Sequence, residues 1–324
     1  MSKLEMVKQS PDEEKHTADA EGIRVEGDKV FSCGDDGKVK YVRPKKLEGI
    51  GPVPGSDIES LILHGDRVFI CSDAGKVKVF DRDLKLIKDF TAHDYAVYDV
   101  FAFGDTLFTG SIDTKIKVWD INTFELKKTI EGHEEAVRKF CTDGKLIYAG
   151  DEKGLVRGYT PAGDSTVSYN VVEEVWSMYA KEDLLYTVRD RGITITQVKG
   201  EDNKYFHVQS LEGRAPIHAT NDLLVFPDTS GLSLEVRENN KASHFALKGQ
   251  LKGPEMIITA VGGHGTMLVT GGWDAELRLW DLTTMKETGR CSIPGVPNGI
   301  AVCENGDVYA AGVDGFVCKL KAST

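Results

Sequence analysis

One unit of about 40 residues repeats along the whole chain of 324 residues. Its clearest copies are GDTLFTGSIDTKIKVWD, which starts at Gly104, and GTMLVTGGWDAELRLWD, which starts at Gly265. Six further copies start at Gly27, Gly65, Gly144, Glu182, Asn221 and Gly306. A repeat of fixed period constrains the architecture more strongly than any single motif, because each copy must form the same supersecondary unit.

Each copy has the pattern of a β-hairpin. A Gly-Asp or Asn-Asp turn usually precedes a β-branched and aromatic run, and a second turn rich in Gly, Asp and Thr precedes an alternating strand. The pivots of the second turn lie 38 to 44 residues apart, at Gly37, Gly75, Thr114, Gly154, Gly192, Gly231, Ala275 and Gly315. A further strand-like run precedes each hairpin and a less regular one follows it. We name these four strands a to d, from inside outward. The pattern predicts an all-β single domain over residues 1–324, a β-propeller of eight four-stranded antiparallel blades.

Seven blades is the alternative to eight. The first copy has its own strand a at residues 22–27 and the eighth has one at Ile300–Cys303, so neither is the missing half of the other. The eighth copy ends four residues after Leu320 and therefore lacks an outermost strand. We predict that Lys3 to Lys8, within an N-terminal segment of residues 1–18, supply this strand and close the ring.

The dipeptides Trp119-Asp120 and Trp280-Asp281 end strand c in two copies, and this feature resembles the WD40-repeat family. The resemblance covers nearly the whole chain, although Gln197, Val236 and Leu320 stand where Trp is expected in three copies. It implies a propeller that serves as an interaction platform. It also implies a buried, hydrogen-bonded tetrad in the third copy, made of His93, Thr109, Asp113 and Trp119.

Spacing within the third copy fits this tetrad. Thr109 and Trp119 lie five residues either side of the pivot Thr114, so we expect them to face each other across the hairpin. His93 and His133 both lie 21 residues before a pivot, which favours a structural role for each.

Charge narrows the classes of partner. The 40 Lys and Arg residues against 51 Asp and Glu give a formal net charge of -11. Non-specific binding to nucleic acid or to anionic lipid needs a positive surface, so we expect no nucleic-acid partner. Apolar runs are too short to span a bilayer, and we expect no membrane insertion.

No motif predicts catalysis. The sequence has no metal-binding HExxH, no GxSxG nucleophile turn and no phosphate-binding loop. Its six cysteines contain no CxxC pair, which favours free thiols in a reducing compartment. We therefore predict a cytoplasmic protein that is not an enzyme, with no catalytic residues, no cofactor and no metal.

The resemblance also indicates where a partner docks. In WD40 propellers, partners often bind the face formed by the loops that enter strand a and by the b-to-c turns. Tyr98, Arg138 and Trp176 lie 16 residues before their pivots, and Trp273 lies two before its pivot. Tyr, Trp and Arg are enriched at interface hot spots. We predict that these four residues bind a protein or peptide partner, the alternative being that they pack over neighbouring loops or plug the channel.

Two other functions stay open at this point. A propeller enzyme would use the central channel, although the residues of strand a are mostly apolar or small. An anionic-ligand module would bind a phosphopeptide or phosphoinositide through a stripe of lysines, for which a solvated sheet face is the simpler interpretation. The stripe comprises Lys38, Lys40, Lys76, Lys78, Lys115 and Lys117.

Overall fold

The structure is a computed structural model that describes residues 3–10, 15–26, 29–43, 46–52, 57–171, 173–199, 204–220 and 222–323. Three turn residues of the repeat, Gly27, Asp28 and Asn221, lie outside these ranges.

The described residues form eight four-stranded antiparallel sheets. The prediction of an all-β propeller with eight blades is confirmed, and the seven-bladed alternative is wrong. Seven blades use four consecutive strands each, and the eighth combines the last three strands with the first strand of the chain. Helix in the described part of the chain is limited to two 3-10 turns, Lys241–Ser243 and Val313–Gly315.

In chain order, the first strand and those of blades one to four are β1 (Lys3–Gln9); β2 (Ala20–Glu26), β3 (Lys29–Gly34), β4 (Lys38–Arg43), β5 (Lys46–Pro52); β6 (Ile58–His64), β7 (Arg67–Ser72), β8 (Lys76–Asp81), β9 (Leu86–Thr91); β10 (Val97–Phe103), β11 (Thr106–Ser111), β12 (Ile116–Asp120), β13 (Leu126–Ile130); β14 (Val137–Thr142), β15 (Ile147–Asp151), β16 (Leu155–Tyr159), β17 (Ser165–Asn170).

The strands of blades five to eight are β18 (Ser177–Lys181), β19 (Leu184–Val188), β20 (Gly192–Lys199), β21 (Lys204–Glu212); β22 (His218–Ala219), β23 (Leu223–Pro227), β24 (Ser233–Glu238), β25 (Leu247–Lys252); β26 (Ile258–His264), β27 (Met267–Gly272), β28 (Glu276–Asp281), β29 (Lys286–Ser292); β30 (Pro297–Val302), β31 (Asp307–Gly312), β32 (Val317–Ser323).

The chain divides into two compact units. Unit 1 comprises residues 1–63, 82–85 and 216–324, and unit 2 comprises residues 64–81 and 86–215. The single domain over residues 1–324 therefore remains a prediction.

Apolar clusters fill the space between adjacent blades in both units. In unit 1, Leu279 of blade seven and Leu320 of blade eight share one cluster. In unit 2, Phe108 of blade three and Phe140 of blade four share another. A strand alternates its side chains between two faces, so the inner strands of a blade contribute to the cores on both sides. Each large side chain buried this way contributes roughly 1.5–3 kcal/mol.

The N-terminal strand is the outermost strand of blade eight. β1 pairs antiparallel with β32, Leu4 opposite Ala322 and Met6 opposite Leu320. Leu4 is buried within the same apolar cluster as Leu320. Beyond β1, the Ser10 N–H donates to the Val317 carbonyl at 2.9 Å, which continues the attachment to β32.

The b-to-c turns explain why most pivots are glycines. Seven of the eight pivots have positive φ, including the non-glycine residues Thr114 at 66° and Ala275 at 54°. At Gly75 a Cβ would also lie 2.2 Å from the carbonyl oxygen of His93. Gly192 is the exception, since it begins β20 and its carbonyl accepts the Arg189 N–H at 3.0 Å.

The register of the third hairpin corrects one expectation. Thr109 is paired with Lys117, and Trp119 is paired with Leu107, so Thr109 and Trp119 are not directly opposite. The reason is that Thr114, which has a left-handed backbone conformation, lies at the end of the turn and not at its middle. The pairing of the two strands is therefore centred on Asp113.

The long spacing between the sixth and seventh copies has a structural basis in the c-to-d connection of blade six. The loop between Glu238 and Leu247 contains the 3-10 turn Lys241–Ser243. Phe245 follows with positive φ and is fully buried. The extra residues therefore form an ordered loop with its own apolar anchor.

Candidate functional site

In blades of both units, one backbone hydrogen bond joins the b-to-c turn to the loop that enters strand a. The Ile112 N–H donates to the Ala96 carbonyl at 3.1 Å in unit 2, and the Trp273 N–H donates to the Ile257 carbonyl at 3.0 Å in unit 1. We call the residues of these turns and entering loops the loop surface of each unit. The bond fixes the backbone at these positions, so side chains there project from rigid turns.

Arg138 organises the loop surface of unit 2. Its guanidinium carbon lies 4.3 Å from the centre of the Tyr98 ring, close enough for a cation–π contact. Its Nε lies 3.1 Å from Glu152 Oε1, and its Nη2 lies 3.2 Å from Glu174 Oε1. Arg138 thus joins side chains from three consecutive blades, and the two carboxylates leave this cluster with a net negative charge.

Trp176 lies beside this cluster in sequence and is 42% exposed. Its N–H donates to the Val188 carbonyl at 2.9 Å, so the backbone that carries the ring belongs to blade five. In blade three of the same unit, Tyr95 is 63% exposed and Ile112 is 44% exposed. Tyr95 is not among the residues predicted from the sequence, although an aromatic residue two positions before a strand a is a recognisable signal.

Trp273 is the most exposed tryptophan, at 59%. It lies in the turn between β27 and β28, beside Met256 and Ile257, which are also exposed. Exposed Leu232 lies close to them, because the preceding Gly231 accepts the Ile258 N–H at 2.9 Å. We call these four side chains the apolar shelf of unit 1. Only Trp273 is predicted from the sequence. The other three are apolar residues whose exposure depends on the loop geometry and cannot be recognised from the sequence.

A polar cleft of about 390 Å³ adjoins the apolar shelf. Its charged lining comes from Glu255, Asp274, Glu276, Arg278 and Arg290. Arg278 is buried at 3% side-chain exposure and donates to Asp274 at 2.7 Å and to Glu276 at 2.9 Å. The arginine thereby fixes the orientation of both carboxylates.

The four proposed tetrad residues of blade three form one hydrogen-bonded chain. Trp119 Nε1 donates to Thr109 Oγ1 at 3.0 Å, reaching it diagonally across the hairpin. Thr109 Oγ1 lies 2.8 Å from His93 Nε2, and His93 Nδ1 lies 2.8 Å from Asp113 Oδ2. Burial lowers the pKa of His93, which favours the neutral ring that accepts from Thr109 and donates to Asp113.

Other blades contain similar hydrogen-bonded networks that are built from different residue types. His16 Nδ1 lies 2.8 Å from Asp36 Oδ1, and its Nε2 lies 2.9 Å from Ser32 Oγ. Burial alone would raise the pKa of Asp36, but hydrogen bonds from His16 and from two backbone N–H groups lower it to about 2. His16 is not among the residues predicted from the sequence, although it lies 21 residues before the pivot Gly37, the same spacing as His93 and His133.

His133 has different hydrogen-bond partners. It bonds Asp151 at 3.0 Å and the Tyr159 hydroxyl at 3.1 Å, and Tyr159 occupies the position that Trp119 has in blade three. In blade seven, which has no histidine at this position, Trp280 Nε1 donates to Thr270 Oγ1 at 2.9 Å.

The lysine stripe is not a uniform basic surface in either unit. The second lysine of a pair turns inward: Lys117 Nζ donates to the Ala92 carbonyl at 2.7 Å, and buried Lys40 donates to the Lys15 carbonyl. Lys78 instead lies 3.3 Å from Asp89. Among the first lysines, Lys115 lies 3.0 Å from Glu131. These contacts give Lys40 and Lys117 a structural role, and the solvated sheet face expected from the sequence does not hold for the buried Lys40.

The described residues contain no group of three or more His, Cys, Asp or Glu side chains arranged to hold a metal ion. The six cysteines are free thiols, and burial raises the pKa of Cys33 and of Cys318 to about 12, which keeps these two protonated. Within the described segments no helix has the length and apolar character needed to cross a membrane.

Comparison with known proteins gives matches for individual repeats. The family model "WD domain, G-beta repeat" matches residues 84–120 and 245–281. A segment is 31% identical over 115 residues to the COMPASS component SWD3 of Saccharomyces cerevisiae, covering 34% of this chain and 33% of that protein. Another is 40% identical over 53 residues to the WD repeat-containing protein pop1 of Schizosaccharomyces pombe, covering 16% of this chain and 7% of pop1. The matches thus span a third or less of either relative.

A solved structure matches over almost the full length. The computationally designed Ika8 protein superposes with a TM-score of 0.82 at 18% sequence identity, covering 95% of this chain and 97% of the other. At this identity the likeness concerns the fold alone.

Proposed function

Because this chain is a WD40-repeat β-propeller, we propose that it is a non-catalytic scaffold or adaptor that binds a protein or peptide partner through its loop surfaces. The observation that carries the proposal is Trp273, a large aromatic residue that is 59% exposed on a turn fixed by a backbone hydrogen bond. A rigid turn needs no tryptophan for its own geometry. An exposed aromatic on a fixed backbone loses little conformational freedom when a partner covers it.

Unit 2 supports the same function by a different arrangement. Trp176, Tyr95 and Ile112 are exposed apolar side chains on its loop surface. Tyr98 and Arg138 are less accessible than the sequence prediction implies, because they contact each other and Arg138 pairs with two carboxylates. In the proposed interface Arg138 has a structural role, because it joins the side chains around it. A partner contacts only the exposed edge of its guanidinium.

The relatives support a role within an assembly. SWD3 is named as a component of COMPASS, so a protein with similar repeats is part of a complex. The free thiols agree with a reducing compartment, and we propose the cytoplasm as the place of action. The inward contacts of the lysines do not favour an anionic ligand as the main partner.

The test is a proximity-labelling pull-down from native lysate, quantified by mass spectrometry. The Trp176→Ala, Trp273→Ala double variant is compared with the wild type and with a Phe206→Ala, Leu247→Ala double variant. Phe206 and Leu247 are 47% and 48% exposed on outermost strands, one in each unit, so they match the tryptophans in exposure but not in position.

We expect one or more proteins to be captured by the wild type and the control but lost from the tryptophan double variant, with unchanged melting temperatures. The two single variants then assign each loss to unit 2 or unit 1. The proposal fails if the captured proteins are the same for all variants.

A further inference from the structure

The apolar shelf and the adjacent cleft of unit 1 form two halves of one surface. The shelf consists of Leu232, Met256, Ile257 and Trp273, each more than 40% exposed. Glu255 directly precedes Met256 and lines the cleft, and Asp274 directly follows Trp273 and lines it too. One extended peptide segment of a partner could therefore place an apolar side chain on the shelf and a neighbouring polar side chain in the cleft.

The charges of the cleft are unbalanced. Glu255, Asp274 and Glu276 face Arg278 and Arg290, and Glu287 lies 2.7 Å from Arg290. Four carboxylates against two guanidiniums leave two negative charges in excess. Arg278 and Arg290 are both engaged with these carboxylates. Glu255 is exposed and makes no ion pair among the described residues, although its charge contributes to the raised pKa of Arg290.

We propose that this surface binds an extended segment of a partner protein that carries an arginine or lysine next to a large apolar residue. The basic side chain enters the cleft towards Glu255, and the apolar residue covers Trp273 and Ile257. Charge complementarity selects a cation over an anion here, because an acidic side chain would meet the excess of carboxylates. This inference rests on the proposed scaffold function and specifies its partner chemistry.

The experiment uses the full chain and a synthetic peptide library. Each nonapeptide has Arg, Lys, citrulline or Glu at its centre and Leu, Phe or Ser at the positions beside it. Citrulline keeps the shape of arginine without its charge. Binding of the selected peptides is then measured by fluorescence polarisation for the wild type and for Glu255→Lys, Trp273→Ala and Glu304→Lys.

Glu304 is the matched control. It is an exposed glutamate of the same unit, but it lies in a turn after a strand a, whereas Glu255 precedes one. We expect selection of peptides with Arg or Lys beside Leu or Phe, and a loss of about tenfold in affinity on exchange of Arg for citrulline. Glu255→Lys and Trp273→Ala should each weaken binding by about tenfold, and Glu304→Lys should change it by less than about twofold.

Three results overturn the inference: no selected peptide, selection without a basic residue, or binding unaffected by Glu255→Lys. The scaffold function is separable from these results. If the lysate partner is lost from Trp273→Ala but retained by Glu255→Lys, the scaffold function stands and the basic partner chemistry is wrong.

Discussion

The hydrogen-bonded chain from Trp119 to Asp113 joins four segments of blade three: the loop before strand a, strand b, the b-to-c turn and strand c. Each buried polar atom in it has a partner at 2.8 to 3.0 Å. A buried polar group left without a partner costs about 1–3 kcal/mol. The network therefore stabilises one arrangement of the blade. Removal of its largest side chain, Trp119, should strongly lower the stability of the fold.

We predict that Trp119→Ala lowers the free energy of unfolding by about 3–5 kcal/mol, the range for removal of a buried aromatic side chain. Trp119 also packs against Phe90 at 5.0 Å between ring centres, so both apolar and polar contacts are lost. Urea unfolding measures the change. Trp176→Ala in the same unit removes an exposed ring and should change stability by less than about 0.5 kcal/mol. A loss below about 1 kcal/mol for Trp119→Ala would show that the tetrad has no structural role.

At this scale, the resemblance to the WD40 repeat predicts the residues that meet within one repeat, whereas the spacing about Thr114 alone places Thr109 and Trp119 in the wrong register. His93, Thr109, Asp113 and Trp119 are joined because repeated units share a backbone path. The contacts of Arg138 could not be predicted in this way. Glu152 lies in the same blade, but Tyr98 and Glu174 approach from the blades on either side, and those contacts depend on how neighbouring blades pack.

The pairing of β1 with β32 covers a strand edge. Without β1, the outer edge of β32 would present its unpaired N–H and C=O groups to solvent. Counting strands from the sequence was sufficient to place β1, because seven copies supply four strands and the eighth supplies three. The buried position of Phe245 could not be obtained by counting, because the loop in blade six is an irregular insertion.

We predict that Leu4→Asp lowers the melting temperature by several degrees, since it places a carboxylate in the apolar cluster that contains Leu320. Val7→Asp introduces the same group on the same strand, but Val7 is 59% exposed, so its melting temperature should stay close to that of the wild type. Differential scanning calorimetry compares the two. Equal melting temperatures for both variants would mean that β1 is not packed on blade eight in solution.

For the whole molecule, the repeat predicts the fold because eight similar sequences require eight similar sheets. The periodicity does not predict how stability is shared along the chain, since it is equally compatible with one cooperative domain and with separately unfolding parts. Because the chain groups into two compact units, separate unfolding of each unit is a concrete alternative to cooperative unfolding. The tryptophans are suited to answer it, because each unit has one buried and one exposed tryptophan.

We predict that the chain unfolds as one domain, so that reporters in both units lose their native signals at the same urea concentration. Incorporation of 5-fluorotryptophan gives four fluorine resonances, which replacement of individual tryptophans by phenylalanine assigns. Trp119 of unit 2 and Trp280 of unit 1 are buried, so the fluorine resonance of each reports the packing around it. Neither residue has to be mutated for this measurement. Coincident midpoints, together with equal calorimetric and van't Hoff enthalpies, are the expected result. Midpoints that differ by more than the fitting error would show two domains that unfold separately, and partner binding would then stabilise only the unit that carries the binding surface.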